Sequence, residues 1–307
     1  KKKKLLQAVT SFFVKKSGEC FAQSSKSMLI YLPKNRRNMR YWQHFCKICT
    51  MKKIILLFSF IGFIFSSAQK MDHIQPGEVL RYRIHYGLLN AGYATLTTMK
   101  TTYMGEPHLY VKGVGKTSGA VGTIFKVDDL YESFINYNTG LPSYYVRNVR
   151  EGNYRQHFQT SFNHDNNTLI LTDKKNPKNG SKVIKTVKGI QDMLSAFYYL
   201  RSFDAGQIKP GDVINLSVWI DDEMFPFRLR VAGAENVNTR FGKVNCLKII
   251  PSVMSGRVFK EKEGVTLWVT NDANHIPVAM KASLVVGSLR ADLDSIKNVK
   301  YPIRFFK

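Results

Sequence analysis

IQDMLSAFYYLRSF, Ile190–Phe203, is the stretch on which the reading of this chain turns. Ile190, Met193, Leu194, Phe197 and Leu200 recur at three- and four-residue steps, which makes one apolar stripe at helical period. Asp192 in the first turn and Arg201 in the last turn each meet the favourable end of the helix dipole. Gly206 and Pro210 close the segment. The stripe predicts Met193, Leu194, Phe197 and Leu200 buried against a sheet, with Tyr198, Tyr199 and Arg201 nearer an edge. Tyr198 and Arg201 are three apart and share a face. They are the candidate ligand contacts, tyrosine offering a flat apolar surface and arginine a forked cation. The competing expectation is that Arg201 pairs with a sheet carboxylate and the tyrosines fill space.

Around this helix the chain reads as strands. Glu78–Tyr86 alternates Leu80, Tyr82, Ile84 and Tyr86 against Arg81, Arg83 and His85. Tyr93–Thr102, His108–Val114, Ile124–Ile135, Ser143–Val149, Tyr154–Phe162 and Thr168–Thr172 follow, separated by Gly, Asn and Pro turns. Beyond Pro210-Gly211, Ile214–Ile220 and Phe225–Val231 alternate strictly, with Asp221 and Asp222 at the turn between them. Val244–Ile250, Val265–Thr270, Ile276–Lys281 and Ser283–Leu289 complete the set. About a dozen short strands with one wet face predict a mainly β fold. The expected architecture is a curved or partly closed antiparallel β-barrel or sandwich with one helix packed on it.

Charge and ends divide the chain. The 307 residues carry 46 Lys+Arg and 22 Asp+Glu, a formal +24. Residues 1–53 hold 14 of the basic residues and one acid, Glu19. From Met51 the chain reads MKKIILLFSFIGFIFSSAQK: a basic pair, an apolar run Ile54–Phe65, then small residues. That is the layout of a secretory signal peptide, and the run is shorter than the roughly 20 residues of a spanning helix. Cleavage is expected between Ala68 and Gln69, leaving residues 69–307 as a single β-rich domain with no transmembrane span. Residues 1–50 read as mis-translated upstream sequence. Cys46-Lys47-Ile48-Cys49 within them lacks a second ligand pair, so it predicts no zinc site. Cys246 remains in the mature region, as a buried residue in a strand. The mature +11 is spread along strands such as Arg81/Arg83 and Arg228/Arg230. It predicts contact with anionic membrane surfaces and no specific nucleic acid.

The catalytic motifs fail on spacing. Gly115-Lys116-Thr117 has Tyr110 where a P-loop needs glycine, and Gly119 and Gly122 are expected to break any following helix. The histidines form neither H-E-x-x-H nor H-x-H, and no serine sits in G-x-S-x-G. His164–Asn167 and Asn271–Asn274 lack the glycine and distal glutamate of a calcium loop and read as hairpin turns. Asp128 and Asp129 interrupt an apolar run, which points to an arginine pair or a bulge. No catalytic residue, metal or cofactor is expected.

The order of several stretches resembles a bacterial exported family, domain-of-unknown-function family 3108. They are Gly77-Glu78 with Tyr82 and Tyr86-Gly87; Ala91-Gly92; Phe125–Asp129 with Tyr131-Glu132-Ser133; and Gln191-Asp192 through Tyr198–Arg201. Pro210-Gly211, Trp268–Thr270 with Ile276–Val278, and Val286–Ser288 complete the pattern. The resemblance covers most of residues 74–293 and implies an exported, mostly β protein with no established activity. The function expected from these readings is a non-enzymatic binding or carrier module for an apolar or amphipathic ligand, in the periplasm or cell envelope of a bacterium. The alternatives are an envelope assembly protein that binds another protein, or a hydrolase with a dispersed site.

Overall fold

The structure, a computed structural model, describes residues 70–253, 264–283 and 287–307. The segment Met51–Ala68, the Ala68/Gln69 cleavage point, residues 1–50 and the cysteines within them lie outside the described residues.

The expected β architecture is present as one open sheet of fifteen strands among the described residues. The first meander comprises β1 (Val79–Tyr86), β2 (Leu89–Tyr103), β3 (Glu106–Thr117), β4 (Asp128–Asn136), β5 (Pro142–Glu151), β6 (Tyr154–Asn163), β7 (Thr168–Asp173) and β8 (Ser181–Lys185). After the two-residue β9 (Gln191–Asp192) comes the second, of β10 (Val213–Ile220), β11 (Glu223–Thr239), β12 (Gly242–Val253), β13 (Val265–Thr270), β14 (Pro277–Ser283) and β15 (Ser288–Lys297). Antiparallel pairing of β1 with β15 joins the two meanders. β9 and β10 pair in parallel because a helix, α2, crosses between them (α1 is Gly119–Ile124 and α2 Met193–Tyr199). No helix among the described residues is long and apolar enough to cross a membrane.

The sheet is rolled, and side-chain packing proves it. β7 and β10 stand second and second-last in the strand order. Laid flat, they would be roughly 58 Å apart at about 4.8 Å per strand. Yet Leu169 and Leu171 of β7 share one buried cluster with Trp219 of β10 and with Ile190, just before β9. The two ends of the sheet therefore meet through side chains, not through a hydrogen-bonded ladder.

α2 occupies the enclosed side. Leu194 and Tyr198 pack with Met71, Leu109, Val111, Ile135 and Tyr145. Phe197 packs against Leu80, Tyr82, Cys246 and Val278. Leu200, in the 3-10 turn after α2, packs with Leu229, Val231, Leu247 and Ile249. Thus one short helix touches both meanders. Its start is fixed by a capping box: Asp192 accepts from the backbone N–H of Leu194 at 2.7 Å and of Ser195 at 2.8 Å, and Ser195 Oγ accepts from Asp192 N. Cys246 is buried as expected, and burial pushes its thiol up to about 12.

Two expectations need correction. The glycines at 119 and 122 do not prevent a helix, since α1 spans Gly119–Ile124. The cost of glycine in so short a helix is about 1 kcal/mol each, and buried Val121 supplies a contact against it. Tyr198 and Arg201 do not lie near an edge; both are fully buried. A stripe argument assumes one covered face, whereas the rolled sheet covers more than one side of α2.

Gly113 on β3 shows how closely helix and sheet approach. A Cβ there would lie 3.2 Å from Leu96 Cδ2 and 3.3 Å from Leu194 Cδ2. At Gly115, two residues along the same face, the nearest atom is Asp129 Cβ at 3.9 Å. Gly113→Val is therefore expected to cost about 1–3 kcal/mol by overpacking, while Gly115→Ala stays within about 0.5 kcal/mol. Urea unfolding of the two variants checks this.

Candidate functional site

Arg201 closes the inner face rather than presenting a cation to a ligand. Nη1 donates to Glu78 Oε1 at 2.5 Å and Nη2 to Oε2 at 2.6 Å, a two-pronged pair at the base of β1. Nε donates to the carbonyl of Asn274 at 3.1 Å, and the guanidinium lies 5.1 Å from the Tyr198 ring centre. Asn274 in turn donates to the carbonyl of Tyr301 at 2.8 Å. Burial, then the Glu78 charge, keeps the Tyr198 hydroxyl protonated far above the ordinary tyrosine range. The competing expectation, a carboxylate partner for Arg201, describes what these atoms do. Tyr199 is half-buried and packs edge-on against Phe203 at 5.4 Å.

A second polar cluster sits where the sheet ends meet. Arg147 on β5 is 1% exposed, and its Nε stands 2.7 Å from Asp221 Oδ1. The contact is not aligned as a hydrogen bond, and all three guanidinium nitrogens lack such a partner among the described residues. Asp221 occupies the two-residue turn between β10 and β11 with φ 58°, a conformation aspartate tolerates. Asp129 lies nearby, accepting from Arg150 N at 2.9 Å and hydrogen-bonded to Glu151. With three carboxyl groups against one guanidinium, the cluster is poorly suited to an anionic ligand. No group of His, Cys, Asp or Glu among the described residues is placed to hold a metal. Asn163 and Asp272 each accept backbone N–H bonds within their own turns, as hairpin turns do.

The accessible concavity is on the other side of the sheet. Cross-strand register sets Met99, Tyr110, Phe134 and Tyr144 in one row across β2 to β5. The adjoining row holds Lys112, Glu132, Val146 and Gln159, with exposed Lys112 opposite Glu132. Alternate residues of the same strands, Leu109, Val111, Ile135 and Tyr145, face α2, so these rows face away from the core. Ring centres are 5.0 Å apart for Tyr110 and Phe134, 5.9 Å for Phe134 and Tyr144, and 5.1 Å for Tyr103 and Phe134. All four rings are half-buried, and Met99 is 55% exposed. Met99, Thr101, Tyr110, Phe134 and Tyr144 line an open depression of about 510 Å³. The Tyr110 hydroxyl donates to Glu132, and burial, then that carboxylate, raises the hydroxyl above its ordinary range. A second depression, of about 390 Å³, is lined by Arg83, Arg240, Arg290, Asp292 and Asp294. There the Asp292 and Asp294 carboxylates are engaged by Arg290 and Arg240. Neither lining includes a residue of α2.

This depression and its aromatic row, an outer terrace on β2 to β6, were hidden in the sequence because the members are spread over residues 99–159. The available signal was aromatic side chains at strand positions of solvent-facing parity. Arg147 gave a similar signal, a charge inside the run Tyr144–Val149.

Burial, then the charge of Asp129, pushes Glu151 up to about 7 from an ordinary 4.5. The folded chain thus holds an extra proton between those values. The resulting stabilisation is full below about 4.5 and is lost as pH rises through about 7. The urea midpoint of the unaltered chain is expected to fall between pH 5 and pH 8 by more than that of Glu151→Gln. Equal falls would remove Glu151 as the cause.

No curated protein matches the chain. The crystal structure of a β-barrel-like protein of domain of unknown function DUF1849 from Brucella abortus aligns with TM-score 0.47 and 12% identity, over 71% of this chain and 96% of that one. The hypothetical lipoprotein YmcC from Escherichia coli aligns with TM-score 0.25 and 12% identity, over 80% of this chain and 94% of that one. The sequence profile described as protein of unknown function (DUF3108) matches residues 81–294, and the chain belongs to that family.

Proposed function

We propose that this chain is an exported, non-enzymatic binding module of the bacterial cell envelope that takes an amphipathic ligand flat against the outer terrace. Export is supported by the basic pair Lys52-Lys53, the apolar run Ile54–Phe65 and the Ser66-Ser67-Ala68 site. The observation that carries the binding reading is the row Tyr110, Phe134 and Tyr144, half-buried and lining an open depression on the face away from the core. Aromatic rings with polar atoms at their rim suit a ligand that is apolar on one side and wet on the other. The inner face offers less. Its helix is in contact with both meanders, and Arg201 is engaged by Glu78 and Asn274.

Ligand-observed saturation-transfer NMR tests the reading, with octyl glucoside and the zwitterionic lauryl dimethylamine oxide as probes. Transfer to one or both is expected. Met99→Arg places a large cation at an exposed lining position without disturbing the core. It is expected to abolish the transfer at an unchanged thermal midpoint. Transfer that survives Met99→Arg, or no transfer to either probe, contradicts the terrace reading.

A further inference from the structure

We infer that the end of the sheet formed by β7, β8 and the turns that flank them is the surface by which the protein lies against an anionic phospholipid bilayer. This surface is not the terrace, and the inference does not rest on it. Six lysines lie between positions 174 and 188, with no Asp or Glu among them. All six are exposed. Among the described residues none of them has a carboxylate within ion-pair distance. Asp173, just before them, is engaged in its own turn, where it accepts from the backbone N–H of Lys175 at 2.9 Å and of Asn176 at 3.2 Å. Asp165 stands in the β6–β7 turn. Arg150 and Arg155, exposed and opposite each other on β5 and β6, add to the positive side, and Lys175 Nζ donates to the Arg155 carbonyl at 2.9 Å. Glu151 beside them is half-buried and hydrogen-bonded to Asp129. Aliphatic side chains stand among the lysines. Val183 on β8 is 72% exposed, and Ile170, opposite it on β7, is exposed too, as is Val187 beyond β8. Leu169, Leu171 and Ile184, of the other parity, pack in a buried cluster, so Ile170 and Val183 face outward.

Lysine on an edge strand also blocks pairing with another sheet. That accounts for Lys182 and Lys185, and it argues against a second copy as the occupant, since two such edges bring like charges together. It does not account for Lys174, Lys175, Lys178 and Lys188, which lie in the turns. Nor does it account for exposed valine and isoleucine beside them. A bilayer accounts for both. Clusters of about four to eight basic residues suit anionic headgroups. Lysine stems lie along apolar surface while their ammonium groups reach the phosphates, and aliphatic side chains enter the headgroup boundary between them. An acidic protein partner would receive its anchors in a pocket, and neither depression described above is lined by a residue of β7 or β8.

Co-sedimentation with vesicles tests the inference, using the protein as the cell processes it. One vesicle population is phosphatidylcholine alone, and the other is equal parts phosphatidylcholine and phosphatidylglycerol. Sedimentation with the second and not the first is expected at about 0.15 M salt, with release at about 1 M. Lys178→Gln, Lys182→Gln and Lys185→Gln together are expected to weaken it about a hundredfold. Arg83→Gln, Arg228→Gln and Arg230→Gln together remove the same charge from exposed positions elsewhere, and are expected to leave most of the binding. Val183→Ser, which removes apolar surface and no charge, is expected to weaken binding too. All these positions are exposed, and an unchanged thermal midpoint confirms that each variant is folded. The inference is overturned if the unaltered protein ignores phosphatidylglycerol or if binding survives the lysine variant. Equal losses in the lysine and arginine variants, or no effect of Val183→Ser, overturn it as well. Tighter binding to polyglutamate than to the vesicles, lost in the lysine variant, assigns the surface to an acidic protein and also overturns it.

Discussion

The buried pair of Glu78 and Arg201 is the constraint on which the rest of the structure depends. Both side chains are within 1% of complete burial. Charges removed from water so completely are costly unless paired and hydrogen-bonded. Here each carboxylate oxygen receives one guanidinium nitrogen, and Nε is taken by the Asn274 carbonyl. Glu78 stands immediately before β1, the strand that joins both meanders, and Arg201 follows α2. Asn274 precedes β14 and reaches the C-terminal segment through Tyr301. A single ion pair thus anchors the helix to the middle of the strand order. The same helix is held at its other end by Asp192, which accepts from Ser133 of β4 at 2.6 Å.

That arrangement decides where chemistry with the outside can happen. A rolled sheet with nothing inside would offer an inner pocket. In this one α2 and the turn after it touch three buried clusters, and Asp192 and Arg201 at its two ends are paired inward. The strands nevertheless have two faces. On β2 to β5 the inner parity carries Leu109, Val111, Ile135 and Tyr145, and the outer parity carries Tyr110, Phe134 and Tyr144. Aromatic cross-strand pairs strengthen a sheet in their own right, by a few tenths to about 1 kcal/mol each. On the proposed reading, stability and recognition draw on the same rows.

Much of the fold was legible because alternation is a local signal. Val265–Thr270 was bounded to the residue, and the Arg228/Arg230 alternation appears as exposed positions beside buried Leu229 and Val231. The helix was legible too, although Gln191 and Asp192 pair with Val218 and Trp219 before it begins. Ser283–Leu289 ran early; β15 starts at Ser288. What alternation does not carry is which strands meet. Glu78 and Arg201 are 123 residues apart, so the arginine's burial follows from a pairing that no local pattern encodes. The terrace likewise exists only once Met99, Tyr110, Phe134 and Tyr144 fall into register.

The most direct measurement is a double-mutant cycle on Glu78 and Arg201, read by urea unfolding. The account requires Glu78→Leu and Arg201→Met each to lose about 3–5 kcal/mol, because each strands a buried charge. The double variant, with no charge left to strand, should lose well under the sum of the two. Single losses below about 1 kcal/mol, or losses that simply add, would contradict the claim that this pair holds the helix in the sheet.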